Sequence, residues 1–420
     1  MVRLETLDNG LTVALRHVPN KVVTLDAWIN VGSANEPDEL NGVSHFLEHM
    51  MFKGTPRYGV GELDKAIMSV GGVWNAGTSK DFTHYYVTVA SPFFDRALDA
   101  IADMMRNALI DPAEFDREKD VILEEYRRKQ DNPWGLLFDE LYTAAFESGP
   151  YHNSVIGTFE SVASLRRDDM HAYYRAHYRP DNMMLCVVGD IEPDAALRAV
   201  EAAFRGSAAP PAGPPPPARA TRYAAPGRRV ITKDVLETYV ALAFPAPGLD
   251  APDDVHALDV ASTILGDGRS SRLNRVLREE RRLVNSVAAG FPTHRHDSLF
   301  YMALTLDEPN LDRAVDAGIA TIRELAASPP SDAEMAKARR ILRNSIQFGT
   351  ETNTGQSGMI GYYHTLTGSN DFYDTYLEAL DAVTADRVSD VVRRYLTGEP
   401  VAIVLKPNGN RAENNPSPEA

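Results

Sequence analysis

The pentapeptide His-Phe-Leu-Glu-His occupies residues 45–49. His45 and His49 are four residues apart, so on a helix both imidazoles project from the same face, one turn apart. Two imidazoles held in this way can share one divalent cation, most commonly zinc. Glu48 lies beside them and can accept a proton from a metal-bound water. A catalytic zinc ion normally has three protein ligands, so the sequence must supply one more.

A helix with suitable carboxylates is predicted over residues 112–130. Asp111 is a favourable N-cap residue and Pro112 suits the first helical position. Glu118 and Glu125 are seven residues apart and therefore share a face of this helix. Either could bind the metal while the other orients a ligand from behind.

The predicted helix must also bury one side, because it carries the apolar residues Phe115, Val121 and Ile122. Carboxylates on a long helix are more often part of a solvated face than metal ligands. The helix therefore offers candidate ligands without deciding between Glu118 and Glu125.

Composition excludes several classes of protein. The chain has 420 residues, which favours two or three domains, and its net charge of −16 argues against non-specific nucleic-acid binding. No apolar run approaches the roughly 18 residues that a membrane span requires.

The polar N-terminus resembles neither a signal nor a transit peptide, which favours a cytoplasmic location. Cys186 is the only cysteine, so the chain can form neither an internal disulfide nor a thiolate metal site.

A Pro/Ala-rich stretch at residues 206–227 predicts an extended linker between two domains. The first domain would comprise residues 1–205 and carry the histidine pair. The second would comprise residues 228–407 and lack a metal site. Residues 408–420 are rich in Asn, Pro and Glu and are expected to be disordered.

Strand and helix patterns recur in similar order in the two predicted domains. In the first, strand-like residues 22–31 precede the histidine helix, and strand-like residues 85–90 follow it. In the second, strand-like residues 238–244 precede a helix over about 253–265, and two strand-like segments follow. This order predicts an α+β fold in which each domain has a mostly antiparallel sheet with helices on one face.

The sequence resembles the inverted-zincin metallopeptidases, the family of pitrilysin, insulin-degrading enzyme and the mitochondrial processing peptidase. The resemblance covers essentially the whole chain. It is carried chiefly by the sequences Gly-Val-Ser-His-Phe-Leu-Glu-His-Met-Met-Phe-Lys-Gly-Thr (42–55), Gly-Gly-Val-Trp-Asn-Ala (71–76) and Asp-Val-Ile-Leu-Glu-Glu (120–125).

The resemblance implies a zinc site and a role for each nearby residue. The third zinc ligand in that family follows the second histidine by 76 positions, which is Glu125 here, and the supporting glutamate is Glu118. His45, His49 and Glu125 would bind one Zn²⁺ per chain, and Glu48 would be the general base. The expected activity is hydrolysis of peptides or unstructured protein segments.

The resemblance also implies how substrate is held. Residues 71–78 correspond to an edge strand that receives the peptide as an added strand, with Asn75, Ala76 and Gly77 alongside the scissile bond. In the second half, Arg278 matches an arginine that the family follows seven residues later with a tyrosine. This chain has Asn285 at that position, and the asparagine side chain is a donor but is shorter than that of the tyrosine, which donates to the oxyanion in the family.

Three explanations for Asn285 are open. In the first, Asn285 itself acts through closer approach; in the second, Tyr362 or Tyr363 replaces the tyrosine; in the third, a partner subunit supplies an intact Arg/Tyr pair. Relatives of this length form half of a clamshell chamber, so a homodimer or a heterodimer with a related subunit is expected. A non-catalytic structural or regulatory subunit is the alternative function.

Overall fold

The computed structural model describes residues 2–206 and 220–408. Most of the predicted linker and all but residue 408 of the predicted tail therefore lie outside the described residues. The described residues fall into two compact units. The first lies within Met1–Arg127, Gly149–Ala220 and Asn344–Thr375, and the second within Arg128–Ser148, Thr221–Arg343 and Tyr376–Ala420. The units are interleaved in sequence, whereas the predicted domains 1–205 and 228–407 are contiguous.

The strands in the described residues, in chain order, are β1 (Arg3–Thr6), β2 (Thr12–His17), β3 (Val22–Ile29), β4 (Val73–Thr78), β5 (Thr83–Ala90), β6 (Phe146–Ser148), β7 (Met183–Gly189), β8 (Arg222–Tyr223), β9 (Gly227–Lys233), β10 (Thr238–Pro247), β11 (Ser286–Gly290), β12 (Asp297–Leu306) and β13 (Val401–Pro407).

The α-helices are α1 (Val43–Met51), α2 (Glu62–Met68), α3 (Phe94–Asn107), α4 (Pro112–Asp131), α5 (Pro133–Ala145), α6 (Phe159–Ser164), α7 (Arg167–His177), α8 (Pro193–Ala203), α9 (Pro252–Gly266), α10 (Leu311–Ala327), α11 (Asp332–Gly349), α12 (Asn353–Thr367), α13 (Asp371–Ala382) and α14 (Ala385–Tyr395). Among the described residues, none of these helices has the length and apolar character to cross a membrane.

Five of the six strands of the first sheet correspond in order to the five strands of the second sheet. The first sheet is ordered β1-β2-β7-β3-β5-β4, and the second is ordered β9-β13-β10-β12-β11 when read in the same direction. In each sheet one pair, β2–β7 or β9–β13, is parallel and the other pairs are antiparallel. The prediction of two similar α+β domains with mostly antiparallel sheets is confirmed, and the relative directions of the five corresponding strands are the same in both sheets.

The prediction that helices cover one face needs correction for the first sheet. Helices α1, α3 and α8 pack on one face of it. Helix α12, from the second half of the sequence, packs on the other face against β3 and β7. All seven residues of β7 are buried. A strand that is apolar on both sides needs cover on both faces, which explains why a second helical layer is required.

Helix α12 approaches the first sheet closely at Gly361. A Cβ atom at Gly361 would lie 2.2 Å from the indole of Trp28, a side chain of β3 that is 3% exposed. Only glycine allows the helix to contact the ring at this distance. Gly358 lies three residues earlier in the same helix, and a Cβ atom there would meet no atom within 4 Å.

We expect substitution by alanine to have opposite effects on the free energy of unfolding at Gly361 and at Gly358. Gly361→Ala should lower the free energy of unfolding by about 1–3 kcal/mol, because the added methyl group forces the indole or the helix to move. Gly358→Ala should raise it by about 0.5–1 kcal/mol, because alanine favours the helix. Urea denaturation of both variants checks this, and a shift of both midpoints in the same direction would contradict the packing described.

Candidate active site

The buried carboxylate of Glu36 accepts hydrogen bonds from the N-terminus of helix α1. Glu36 is 1% exposed, and its carboxylate accepts hydrogen bonds from the backbone N–H groups of Gly42 and Ser44, both at 2.8 Å. The Asn41 side chain donates a third bond at 2.9 Å. Gly42 has φ +97°, a conformation that favours glycine. Glu36 thus satisfies N–H groups that the start of a helix leaves without partners.

Helix α1 presents its histidines on the side away from its apolar residues. Phe46, Leu47, Met50 and Met51 are buried in the core. The rings of His45 and His49 lie 5.0 Å apart and remain partly exposed. The predicted helical pairing of the two imidazoles is therefore present.

Helix α4 packs beside α1 through stacked rings. The Asp111 carboxylate accepts hydrogen bonds from the N–H groups of residues 113 and 114, as expected for an N-cap. Phe115 stacks on Phe46 with ring centroids 4.7 Å apart, and Ile122 is also buried. Val121, which was expected to be buried, is 49% exposed. The helix buries the face that carries Phe115 and Ile122.

This packing places Glu125 against the histidine pair. One Glu125 carboxylate oxygen lies 3.6 Å from His49 Nε2 and the other lies 3.9 Å from His45 Nε2. One ligand atom from each of the three residues can be chosen so that all lie within 4.8 Å of one another. Within the described residues, this is the group of His, Cys, Asp and Glu side chains that could hold a metal ion.

Glu118 lies behind His49. The His49 Nδ1 atom is 2.9 Å from one Glu118 oxygen, and the Lys53 ammonium is 2.6 Å from the other. Burial acts to raise the pKa of Glu118, but the bonds from His49 and Lys53 outweigh it and lower the pKa. Burial likewise acts to lower the pKa of His49, but Glu118 and the nearby carboxylates raise it. The ionised Glu118 fixes the His49 ring with Nδ1 as the donor, which leaves Nε2 available.

Glu48 lies in a more enclosed position. Burial raises the pKa of its carboxyl group, and a hydrogen bond from the Thr78 hydroxyl at 2.6 Å opposes this rise. His49 and Glu125 also affect the pKa of Glu48, in opposite directions, so the group lies within electrostatic range of the histidine pair. A carboxyl group with a raised pKa is suited to accept and return a proton near neutral pH.

Strand β4, which contains Asn75, Ala76 and Gly77, is the last strand of the first sheet. It pairs with β5 along one side, and its other edge has no strand partner among the residues described. At Gly77 the strand also lies close to a side chain of β5, because an added Cβ atom would be 3.2 Å from His84 Nε2. An extended peptide could therefore add to the free edge of β4 through backbone hydrogen bonds.

Arg278 and Asn285, the site residues predicted in the second half of the sequence, lie in the second unit. Arg278 is exposed on a π-helical segment, Asn274–Glu280. The Asn285 amide donates to a Glu237 carboxylate oxygen at 2.8 Å. This donor is therefore already bonded to a neighbouring carboxylate.

Tyr362 and Tyr363, the other proposed replacements for the missing tyrosine, belong to α12 in the first unit. The Tyr362 ring packs edge-on against Phe82, with centroids 5.8 Å apart, and Tyr363 packs against Tyr362. Tyr362 joins the apolar cluster on the sheet face opposite to α1. The replacement of the missing tyrosine by Tyr362 or Tyr363 stays a prediction.

The donor set fits a zinc ion. Two imidazole nitrogens and one carboxylate oxygen form a usual ligand set for catalytic zinc. Bonds of about 2.0–2.2 Å in a tetrahedron place ligand atoms about 3.3–3.5 Å apart. The distances of 3.6 and 3.9 Å from Glu125 to the imidazoles are slightly longer. Glu125 is 46% exposed at its side chain, so a small movement of its carboxylate closes the difference.

Comparison with known proteins agrees with this geometry. The family described as "Insulinase (Peptidase family M16)" matches residues 12–159, and the one described as "Peptidase M16 inactive domain" matches residues 164–342. The chain belongs to peptidase family M16. An uncharacterized zinc protease of Streptomyces coelicolor is 32% identical over 97% of this M16 chain and 90% of its own length.

Two further relatives extend the comparison of this M16 chain. The mitochondrial-processing peptidase subunit beta of Lentinula edodes is 29% identical over 95% of this chain and 88% of its own length. The crystal structure of a protease from Helicobacter pylori has a TM-score of 0.89 and 26% identity, and the match covers 97% of this chain and 99% of that one. The resemblance to the pitrilysin family predicted from the sequence is confirmed.

Three residues near the histidines were not predicted to have a role in the site. Lys53 lies just after the end of α1, and nothing in its spacing indicates its contact with Glu118. Thr78 follows the predicted substrate residues, but nothing in its spacing indicates a bond to Glu48. Glu36 lies before α1 and belongs to no periodic pattern, so the sequence does not indicate which groups its carboxylate contacts.

Glu36 generates a prediction about stability. Glu36→Ala should lower the free energy of unfolding by about 2–4 kcal/mol, because the N–H groups of Gly42 and Ser44 would be left buried without an acceptor. Glu39→Ala, at an exposed position of the same loop, should change it by less than about 0.5 kcal/mol. Urea denaturation checks this, and equal midpoints for the two variants would show that Glu36 does not cap α1.

Proposed function

We propose that the chain is a zinc-dependent endopeptidase that hydrolyses peptides or unstructured protein segments. The observation that supports this best is the convergence of His45 Nε2, His49 Nε2 and the Glu125 carboxylate, with Glu48 beside them. The zinc proteases among its M16 relatives support the same activity.

Each residue of the site has a proposed task. His45, His49 and Glu125 would hold the zinc ion, and Glu118 would keep the His49 ring in the orientation and tautomer that this requires. A bound zinc ion supplies Lewis acidity, which polarises a carbonyl group and lowers the pKa of a water ligand to about 7. Glu48 would accept a proton from the attacking water at a carboxylate oxygen and return it to the leaving amine nitrogen.

Strand β4 is the proposed substrate platform. Backbone N–H and C=O groups on its free edge would pair with an extended peptide, with Asn75, Ala76 and Gly77 beside the scissile bond. A folded protein does not offer an unpaired extended segment, whereas a peptide or an unfolded region does. The choice of substrate would therefore depend first on whether a segment can become extended.

The substitution Glu48→Gln tests whether Glu48 is the general base. This variant should keep one zinc ion per chain, because Glu48 is not a proposed ligand. Its kcat on quenched fluorogenic peptides should fall by roughly 10²–10⁴-fold, because the amide cannot accept the proton. A chelator should abolish wild-type activity, and added zinc should restore it. Elemental analysis and steady-state kinetics provide the measurements.

Glu124→Gln is the matched control for this experiment. Glu124 is exposed on the same helix as Glu125, and its carboxylate pairs with Arg127 at 3.2 Å. The control variant should keep the wild-type kcat and zinc content. A Glu48→Gln enzyme that retains more than a tenth of wild-type activity would exclude Glu48 as the base.

We further propose that full activity requires a dimer in which a related subunit supplies an Arg/Tyr pair. The proposal is supported by the Asn285 amide, which already donates to Glu237. It is also supported by a relative that is named as one subunit of a processing peptidase. A non-catalytic subunit is the alternative, and a zinc-loaded chain that stays inactive with every partner would favour it.

The missing tyrosine can be restored in this chain. Asn285→Tyr should raise the kcat of the purified protein at least about tenfold, because a phenol can donate to the oxyanion of the transition state. Asn285→Phe carries the same ring without the hydroxyl and should leave kcat unchanged. Kinetics and mass in solution check this. If the wild-type chain alone turns over as fast as the Tyr variant, the missing donor has no catalytic importance.

A further inference from the structure

We propose that Thr78 is a positioning residue for Glu48, a role that rests on the proposed peptidase function. The Thr78 hydroxyl donates to Glu48 Oε2 at 2.6 Å. This distance is typical of a hydroxyl that donates to an ionised carboxylate, a stronger bond than one between neutral groups. Glu48 Oε1 accepts no hydrogen bond from the residues that the structure describes. One oxygen is therefore held, and the other stays available to the attacking water.

The Thr78 hydroxyl is fixed by its place in the sheet. Thr78 is the last residue of β4 and pairs in register with Thr83 of β5. The intervening turn is closed by a hydrogen bond from the Ser79 N–H group to the Phe82 carbonyl at 2.8 Å. Thr83 donates from its own hydroxyl to the Val31 carbonyl at 2.9 Å. The turn is thus closed by its own hydrogen bond and is tied through Thr83 to residue 31, which follows β3.

Further contacts hold the turn from outside the hairpin. The Ala34 N–H group donates to the Lys80 carbonyl at 2.7 Å, and the Ser33 N–H group donates to the Ser79 carbonyl at 3.2 Å. The buried Lys80 ammonium donates to the backbone carbonyls of Tyr151 and Asn153 at 3.0 and 2.8 Å. Thr78 therefore extends from a rigid frame and does not follow the side chain it contacts.

A fixed donor matters because glutamate has three rotatable side-chain bonds. Without the Thr78 bond, Glu48 would populate rotamers in which neither oxygen faces the reacting water, and each such population lowers the fraction of productive encounters. Strand β4 would then serve two purposes. Its edge would align the peptide, and its last side chain would align the base with that peptide.

The test compares three substitutions with kinetics on a fluorogenic peptide. Thr78→Val removes the hydroxyl and keeps the shape, and it should lower kcat about tenfold with KM within about twofold. Thr78→Ser keeps the hydroxyl and should restore kcat to within about threefold of the wild type. Thr88→Val removes a hydroxyl of β5 that bonds to the hydroxyls of Thr24 and Thr354 and has no part in the turn, and it should leave kcat unchanged. Zinc content should be one per chain in all three.

A second readout does not require turnover. In the metal-free protein, the shifts in unfolding midpoint caused by Thr78→Val and Glu48→Ala should not be additive, because both remove the same hydrogen bond. Additive shifts overturn the proposal. So does a Thr78→Val enzyme with wild-type kcat, or one in which kcat falls only in proportion to zinc content.

The two proposals fail in distinguishable ways. If Glu48→Gln retains activity, the proposed function fails, and the positioning role fails with it. If Glu48→Gln is inactive while Thr78→Val is as active as the wild type, only the positioning role fails. In the Glu48→Gln background, Thr78→Val should cause no further loss of the residual rate, and a further tenfold loss would show that Thr78 acts by some other route.

Discussion

The contact between α1 and α4 is the interaction on which the candidate site depends. Residues that are 76 positions apart in the chain share one small volume because the Phe46 and Phe115 rings stack between the helices. The stack is apolar and buried, so it does not compete with the polar groups beside it. Glu118 then adds a charged contact one helical turn further along, and Glu125 follows two turns after Glu118. The packing of the two helices determines where Glu118 and Glu125 lie, and the hydrogen bond between Glu118 and His49 determines the orientation of the His49 ring.

Sequence reasoning predicted the parts of the site that depend on local periodicity. The spacing of His45 and His49, the N-cap at Asp111 and the shared face of Glu118 and Glu125 all follow from helix geometry. That reasoning could not choose between the two glutamates, because the choice depends on how one helix packs on another. The family resemblance assigned Glu125 as the ligand, and the distances to both imidazoles agree with this choice.

The features that escaped prediction are contacts over long sequence separations. The packing of α12 on the first sheet joins Gly361 to Trp28, and the Thr78 hydroxyl meets a helix that ends well before it in the chain. Neither contact leaves a periodic signal. The sequence analysis predicted helices on one face only, although the unbroken apolar sequence of β7 is typical of a strand that is buried on both faces.

The free edge of β4 has a consequence for how the molecule behaves at high concentration. An unpaired sheet edge can pair with the edge of a second copy, which is a common route to aggregation. The sequence of β4, Val-Trp-Asn-Ala-Gly-Thr, includes asparagine and glycine, which form strands poorly. A net charge of −16 adds repulsion between copies. A weakly pairing edge on a highly charged molecule is poorly suited to joining the sheets of two copies.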